Sequence, residues 1–160
     1  MSFNSKKTIL SVLAGVVLTI AYILYALGGN SPAPEDLRSW ARAMLVFVGI
    51  GVAAVIVIQI LFHIAAAVGI AVKERDQDDK TVERIISSAL TEDERDKLIS
   101  LKSSHICYII AGGGFFAALV ALASGVPAVP ALHICMGGLC AGSITEGIVS
   151  VFFYEKGVRQ

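Results

Sequence analysis

What this chain has least of is charge. No Asp, Glu, Lys or Arg stands between Lys7 and Glu35, between Arg42 and Lys73, or between Lys102 and Glu146. A helix or strand at the surface of a soluble domain needs a polar face, so stretches of this length without charge exclude an ordinary soluble domain. Only 16% of the residues are charged and 56% are hydrophobic, above the about 45–50% of soluble globular chains. An excess of either sign is also missing, since 13 basic and 13 acidic residues balance to zero. Without a basic patch there is no electrostatic footprint for nucleic acid. Cysteine is limited to Cys107, Cys135 and Cys140, an odd number without CxxC spacing, which points to neither a disulfide framework nor a zinc site. All three fall in apolar segments, where cysteine acts as a small hydrophobe. There is no glycine-rich phosphate loop, HExxH pattern or serine nucleophile elbow. Gly112-Gly113-Gly114 follows a helical pattern rather than a strand, so it is no nucleotide fingerprint. These absences describe a protein that is not an enzyme and carries no cofactor or metal.

What is present is long apolar sequence. A bilayer core about 30 Å thick is crossed by about 20 apolar residues in a helix. The first two charge-free stretches each hold one crossing, and the third holds one and the start of another. The expected fold is all-α: a polytopic membrane protein with transmembrane helices at about 8–27, 43–72, 105–124 and 131–154, forming one domain over 1–160. Lys6 and Lys7 before an apolar run resemble a signal peptide, but the run to Leu27 exceeds a typical h-region of about 7–15 residues. It reads as a retained helix. Gly28 to Pro34 breaks the first helix. Glu35 to Arg42 is short and amphipathic, with Leu37, Trp40 and Ala41 on one side, and Trp40 suits a membrane interface. Ala43 to Val72 would rise about 45 Å as one helix, so it must tilt or project beyond the hydrocarbon. Gly125 to Pro130 reads as a tight uncharged turn. Each half of the chain thus holds a helix, a proline-bearing turn and a second helix, a faint repeat with little side-chain identity.

Segment 73–104 is the one sizeable polar stretch, expected as long helical cytoplasmic extensions between helices two and three. Val82, Ile85, Ile86, Ala89 and Leu90 recur at helical spacing. Thr91 with Glu94 fits a capping box, so a helix should start near Glu92 and run unbroken into the membrane. Lysine and arginine counts set the orientation. Lys73, Arg75, Lys80, Arg84, Arg95, Lys97 and Lys102 lie between helices two and three, against Arg38 and Arg42 in the first outer loop and none in the second. Lys6, Lys7, Lys156 and Arg159 join the basic side. Both termini are therefore expected inside, in a cytoplasmic (inner) membrane.

Glu146 is the most informative residue. A carboxylate in hydrocarbon costs several kcal/mol, so such groups face the protein interior and are often functional. Glu146 and His63 stand equally far before Lys156 and Lys73, which suggests a common depth. A Glu–His pair there would share a proton or ion; the bland reading is a neutral Glu146 bonded across helices. Gln59, Ser143 and Ser150 extend the polar stripe. Counted inward from Lys102, Gly112–Gly114 falls opposite, leaving room for a ligand or simply for close packing. Gly138-x-x-x-Gly142 favours packing. His133, Met136 and Cys140 share one face and would suit Cu(I), although ordinary packing explains them. A bis-histidine haem is disfavoured, because His63 and His105 differ in depth.

Asp93-Glu94-Arg95-Asp96-Lys97-Leu98-Ile99, then Leu101-Lys102 and a Tyr-bearing helix, resembles small bacterial and archaeal multi-pass membrane proteins of unknown function with a juxtamembrane acidic-Glu-Arg-Asp motif. The resemblance covers Thr91 to about Val120. It implies no activity, but it does imply a structural ionic cluster at Glu94, Arg95 and Asp96. Glu74-Arg75-Asp76 repeats the triplet and could meet it in a hairpin. The function expected is an integral membrane scaffold or accessory subunit acting through helix packing and a charged cytoplasmic arm. Its partners are the lipid bilayer and a homo-oligomer or another membrane protein. The alternative is a small proton or cation transporter or channel subunit built on Glu146 and His63.

Overall fold

The computed structural model describes residues 3–29, 31–73 and 94–156. They form four helices, α1 (Phe3–Leu27), α2 (Leu37–Lys73), α3 (Glu94–Ala123) and α4 (Ala128–Lys156). Each is long and apolar enough to cross a membrane. The residues expected between helices two and three as a cytoplasmic segment fall largely at 74–93, outside the described residues. Above all this covers the Val82–Leu90 amphipathic run and the Thr91 cap.

Local chemistry explains the helix ends. Asp36 caps α2: its Oδ1 accepts the Ser39 N–H at 3.1 Å, and its carbonyl accepts the Trp40 N–H at 3.1 Å. An acidic cap satisfies an N–H that the first turn leaves open. The short amphipathic segment expected at Glu35–Arg42 is therefore not separate, because from Leu37 onward it is the first two turns of α2. The Trp40 indole donates to the Ala33 carbonyl at 3.1 Å and ties the preceding loop to the helix. α3 ends in a Schellman motif: Gly125 N–H bonds Leu122 and Val126 N–H bonds Ala121, both at 3.0 Å. Gly125 has φ 87°, the left-handed conformation this motif requires. The turn is shorter than expected. Pro130 lies inside the first turn of α4, where a proline lacks no needed N–H, and Ala131 bonds back to the Pro127 carbonyl.

The helices stand in a row, α2–α1–α4–α3. α3 and α4 form the closest pair, an antiparallel hairpin; α4 packs next on α1, and α1 on α2. α2 touches α4 only lightly, and among the described residues α3 packs on α4 alone. Glycines set these contacts. A Cβ on Gly114 would sit 2.6 Å from the Gly138 Cα, and one on Gly142 would sit 3.0 Å from the Cys107 carbonyl. Leu18 of α1 fills the space over Gly51 of α2, and Val12 of α1 lies against Gly147 of α4. Close backbone approach is how apolar helices adhere where solvent offers no hydrophobic drive.

The main core cluster sits at the loop end, where Tyr22, Trp40, Met44, Val129 and Met136 are buried together. Elsewhere the row exposes apolar side chains, such as Leu45 at 71% and Phe116 at 67%. Exposed apolar surface of this extent marks a protein whose surroundings are themselves apolar, or one awaiting partners.

Candidate functional site

The α3–α4 hairpin builds the polar centre of the molecule. Glu146 is half-buried on α4 and accepts the Ser104 hydroxyl of α3 at 2.5 Å. The Cys107 thiol lies beside the same carboxylate. One residue before Ser104, the buried Ser103 spends its hydroxyl on its own helix, bonding the Ile99 carbonyl at 2.8 Å. A hydroxyl and a thiol around one carboxylate make a satisfied interhelical bond.

Sequence reading missed Ser104, though a usable signal existed. The α3–α4 turn is tight, so residues equidistant from Gly125 face each other across an antiparallel hairpin. Ser104 and Glu146 are such a pair, and so, nearly, are Gly114 with Gly138 and Arg95 with Tyr154.

The depths inferred from flanking lysines change accordingly. Lys102 lies nearly level with Glu146, so the Gly112–Gly114 run stands not opposite Glu146 but about two to three turns nearer the loop end. There, its last member packs on Gly138. The structure also does not bring His63 to Glu146. The Trp40 and His133 rings meet at 4.6 Å. From that level His63 is about 34 Å along α2, and Glu146 about 20 Å along α4. His63 and Gln59 are exposed on α2. Equal spacing from a lysine fails because α2 extends well past the helices beside it. Ser143 is exposed and Ser150 half-buried on α4.

At the terminal end, Arg95 reaches α4, where Nη2 donates to the Tyr154 carbonyl at 3.4 Å. A cation there satisfies a last-turn carbonyl and complements the helix dipole. Glu94 and Asp96 sit in the first turn of α3, the favourable end for acids. Glu74, Arg75 and Asp76 lie outside the described residues. Lys156 places its Nζ 4.7 Å from the Phe152 ring centroid.

Among the described residues no group of three or more His, Cys, Asp or Glu side chains could hold a metal. Met136 is core, and half-buried Cys140 packs against it. His133 donates from Nδ1 to the Val129 carbonyl at 2.8 Å. Beyond the apolar spans, Asp36 has its carboxyl held below the usual range by the Ser39 hydroxyl first, and then by backbone N–H groups.

Comparison with models of known families, with curated proteins and with solved structures gives no match for this chain.

Proposed function

We propose that this is a four-span membrane protein, termini inside, acting as a scaffold or accessory subunit that pairs with a second copy through α2. The observation that carries this is the free face of α2. Gly49, Ala53, Ile56, Gln59, Ile60 and His63 recur at helical spacing and are all exposed. α2 is an end member of the row, and among the described residues no neighbouring helix covers this face. Gly49-x-x-x-Ala53 lets another backbone approach, and Gln59 offers an amide that bilayer lipid cannot satisfy. Two copies related by a twofold axis satisfy both needs with one surface. Arg38 and Arg42 lie toward the loop end and the basic residues toward the terminal end, which supports the orientation. α3 and α4 extend together at the terminal end, tied by Arg95, and supply the described part of the charged arm.

The transport alternative has less support. Glu146 is engaged by Ser104, and His63 stands about 10–15 Å further along the helix axes toward the terminal end.

Native mass spectrometry in mild detergent tests the proposal. A dimer that dissociates in Gly49→Leu and weakens in Gln59→Leu is expected. A strict monomer, together with absent crosslinks through Ile56→Cys in membranes, would refute it.

A further inference from the structure

A groove stands at the opposite end of the row from α2. It runs along α3 beside the seam with α4 and has room for about 750 Å³. Lys97, Ser100, Lys102, His105 and Tyr108 of α3 line it, with Phe153 of α4 as one wall. No Asp or Glu does. The Glu146 carboxylate lies behind it, bonded to the Ser104 hydroxyl. Glu94 and Asp96 belong to the first turn of α3 and stand outside the lining. Lys97 and His105 are exposed, and neither has a hydrogen-bond or ionic partner among the described residues. Depth divides the groove into a polar and an apolar part. Lys102 is about 32 Å along α3 from Ala123, and a hydrocarbon core is about 30 Å thick. Lys97 to His105 therefore falls at the edge of the bilayer on the terminal side. Tyr108 is nearly one turn deeper, and the same face of α3 continues through Gly112, Phe115 and Leu119. These four residues are exposed, and nothing stands within 4 Å of the Gly112 Cβ position.

We infer that this groove binds one anionic phospholipid of the leaflet on the terminal side, its phosphate on Lys97, Lys102 and His105 and an acyl chain along Tyr108, Gly112 and Phe115. Charge, size and depth select this occupant. Lysine ammonium groups donate to phosphate oxygens, and the His105 ring supplies a further N–H. Basic pockets at the edge of membrane helices suit acidic headgroups for this reason. The volume falls within the about 300–1,000 Å³ of small-molecule sites, so a headgroup fills it while the chains leave along the open face of α3. A soluble phosphate or an acidic peptide would use the cations but leave the apolar track toward the loop end unused. The inference rests on the membrane reading, since the bilayer supplies the lipid. It does not rest on self-association through α2, because α3 is the other end of the row.

The test uses purified full-length protein in nanodiscs of mixed phosphatidylglycerol and phosphatidylcholine. Diazirine-bearing forms of the two lipids are crosslinked in turn, and the labelled peptides are mapped by mass spectrometry. Saturable labelling between Lys97 and Phe115 is expected from the phosphatidylglycerol probe, several-fold above that from phosphatidylcholine, whose phosphate is balanced by choline. Lys97→Gln should weaken this preference about fivefold, the value of one lysine at an anionic surface. Lys7→Gln, on α1 at the same end of the molecule, should leave it unchanged. Ser100→Trp keeps the charge but fills the groove and should abolish the labelling. Lys97 and Ser100 are exposed, so neither substitution removes a packed side chain. Excess soluble glycerol phosphate should not displace the probe. Equal labelling by the two lipids, an unchanged preference in Lys97→Gln, or an equal loss in Lys7→Gln would each overturn the assignment. So would labelling undiminished in Ser100→Trp, or displacement by glycerol phosphate. Protein that stays out of the discs would refute the membrane reading itself, whereas protein that enters them without preferring the anionic lipid refutes only the site.

Discussion

Ser104 and Glu146 show how a residue legible in isolation can lose its supposed partner. Glu146 was readable because a lone carboxylate in an apolar run demands an explanation. Its bond to Ser104 was not, since charge counting sets depth and says nothing of rotation. Ser104→Ala leaves the carboxylate short of a donor and should destabilise the hairpin by about 1 kcal/mol. Glu146→Gln retains an acceptor for the Ser104 hydroxyl and should lose less. Steric-trapping or detergent-titration unfolding measures both, and a larger loss in Glu146→Gln would mean that the ionised form is what the site holds. Asp36 gives a pH prediction at the same scale. Its carboxyl is depressed by Ser39, so its contribution is complete above the ordinary carboxylate range. That contribution is lost as pH falls through the lowered value of the folded state. Asp36→Asn keeps an oxygen for the cap and should flatten this acid dependence. Asp36→Ala should lower the melting temperature at neutral pH, and circular dichroism melts across acid pH distinguish the two.

At the scale of the element, existence and type were legible and boundaries less so. Four apolar runs became four helices because length and hydropathy dominate local detail. α2 and α4 start earlier than expected because Glu35–Arg42 reads as a separate amphipathic segment and Gly125–Pro130 as a turn. Asp36 as a cap and Pro130 in a first turn are compatible with helix once the local hydrogen bonds are counted. The Gly138-x-x-x-Gly142 seam was legible as packing, and the structure supplies its partners. Gly114 and Gly138 touch backbone to backbone, whereas Gly113 and Gly137 have open space over the Cβ position. Gly138→Ala should therefore cost about 1–3 kcal/mol by forcing α3 and α4 apart, and Gly114→Ala a similar amount. Gly113→Ala and Gly137→Ala should cost nothing and add helix propensity. Thermal melts of the four variants decide this, and equal effects across them would mean that the seam is not the contact holding the hairpin.

At the scale of the molecule, the arrangement of helices was the least legible feature. A row and a closed bundle share the same hydropathy pattern, and they differ only in which faces carry small residues. Gly51 and Gly147 on either side of α1, and Gly138 and Gly142 toward α3, make α1 and α4 interior and leave α2 and α3 at the ends. The row also gives the topology a consequence that can be measured. If all four helices cross, the loop around Asp36 and the turn at Gly125 share one side, and both termini share the other. The orientation proposed from the lysine and arginine bias has the loops outside. In a variant with the native cysteines replaced, Ser31→Cys and Ser124→Cys should react with a membrane-impermeant maleimide in intact cells. Ser2→Cys and Gln160→Cys should react only after permeabilisation. Reaction of all four in intact cells would contradict a sealed crossing, and labelling of the termini alone would invert the orientation. A loop and a terminus reacting together would mean that one of the apolar helices does not span. The first to suspect would be α4, whose span has the lowest mean hydropathy of the four, 1.5 against 2.9 for α2.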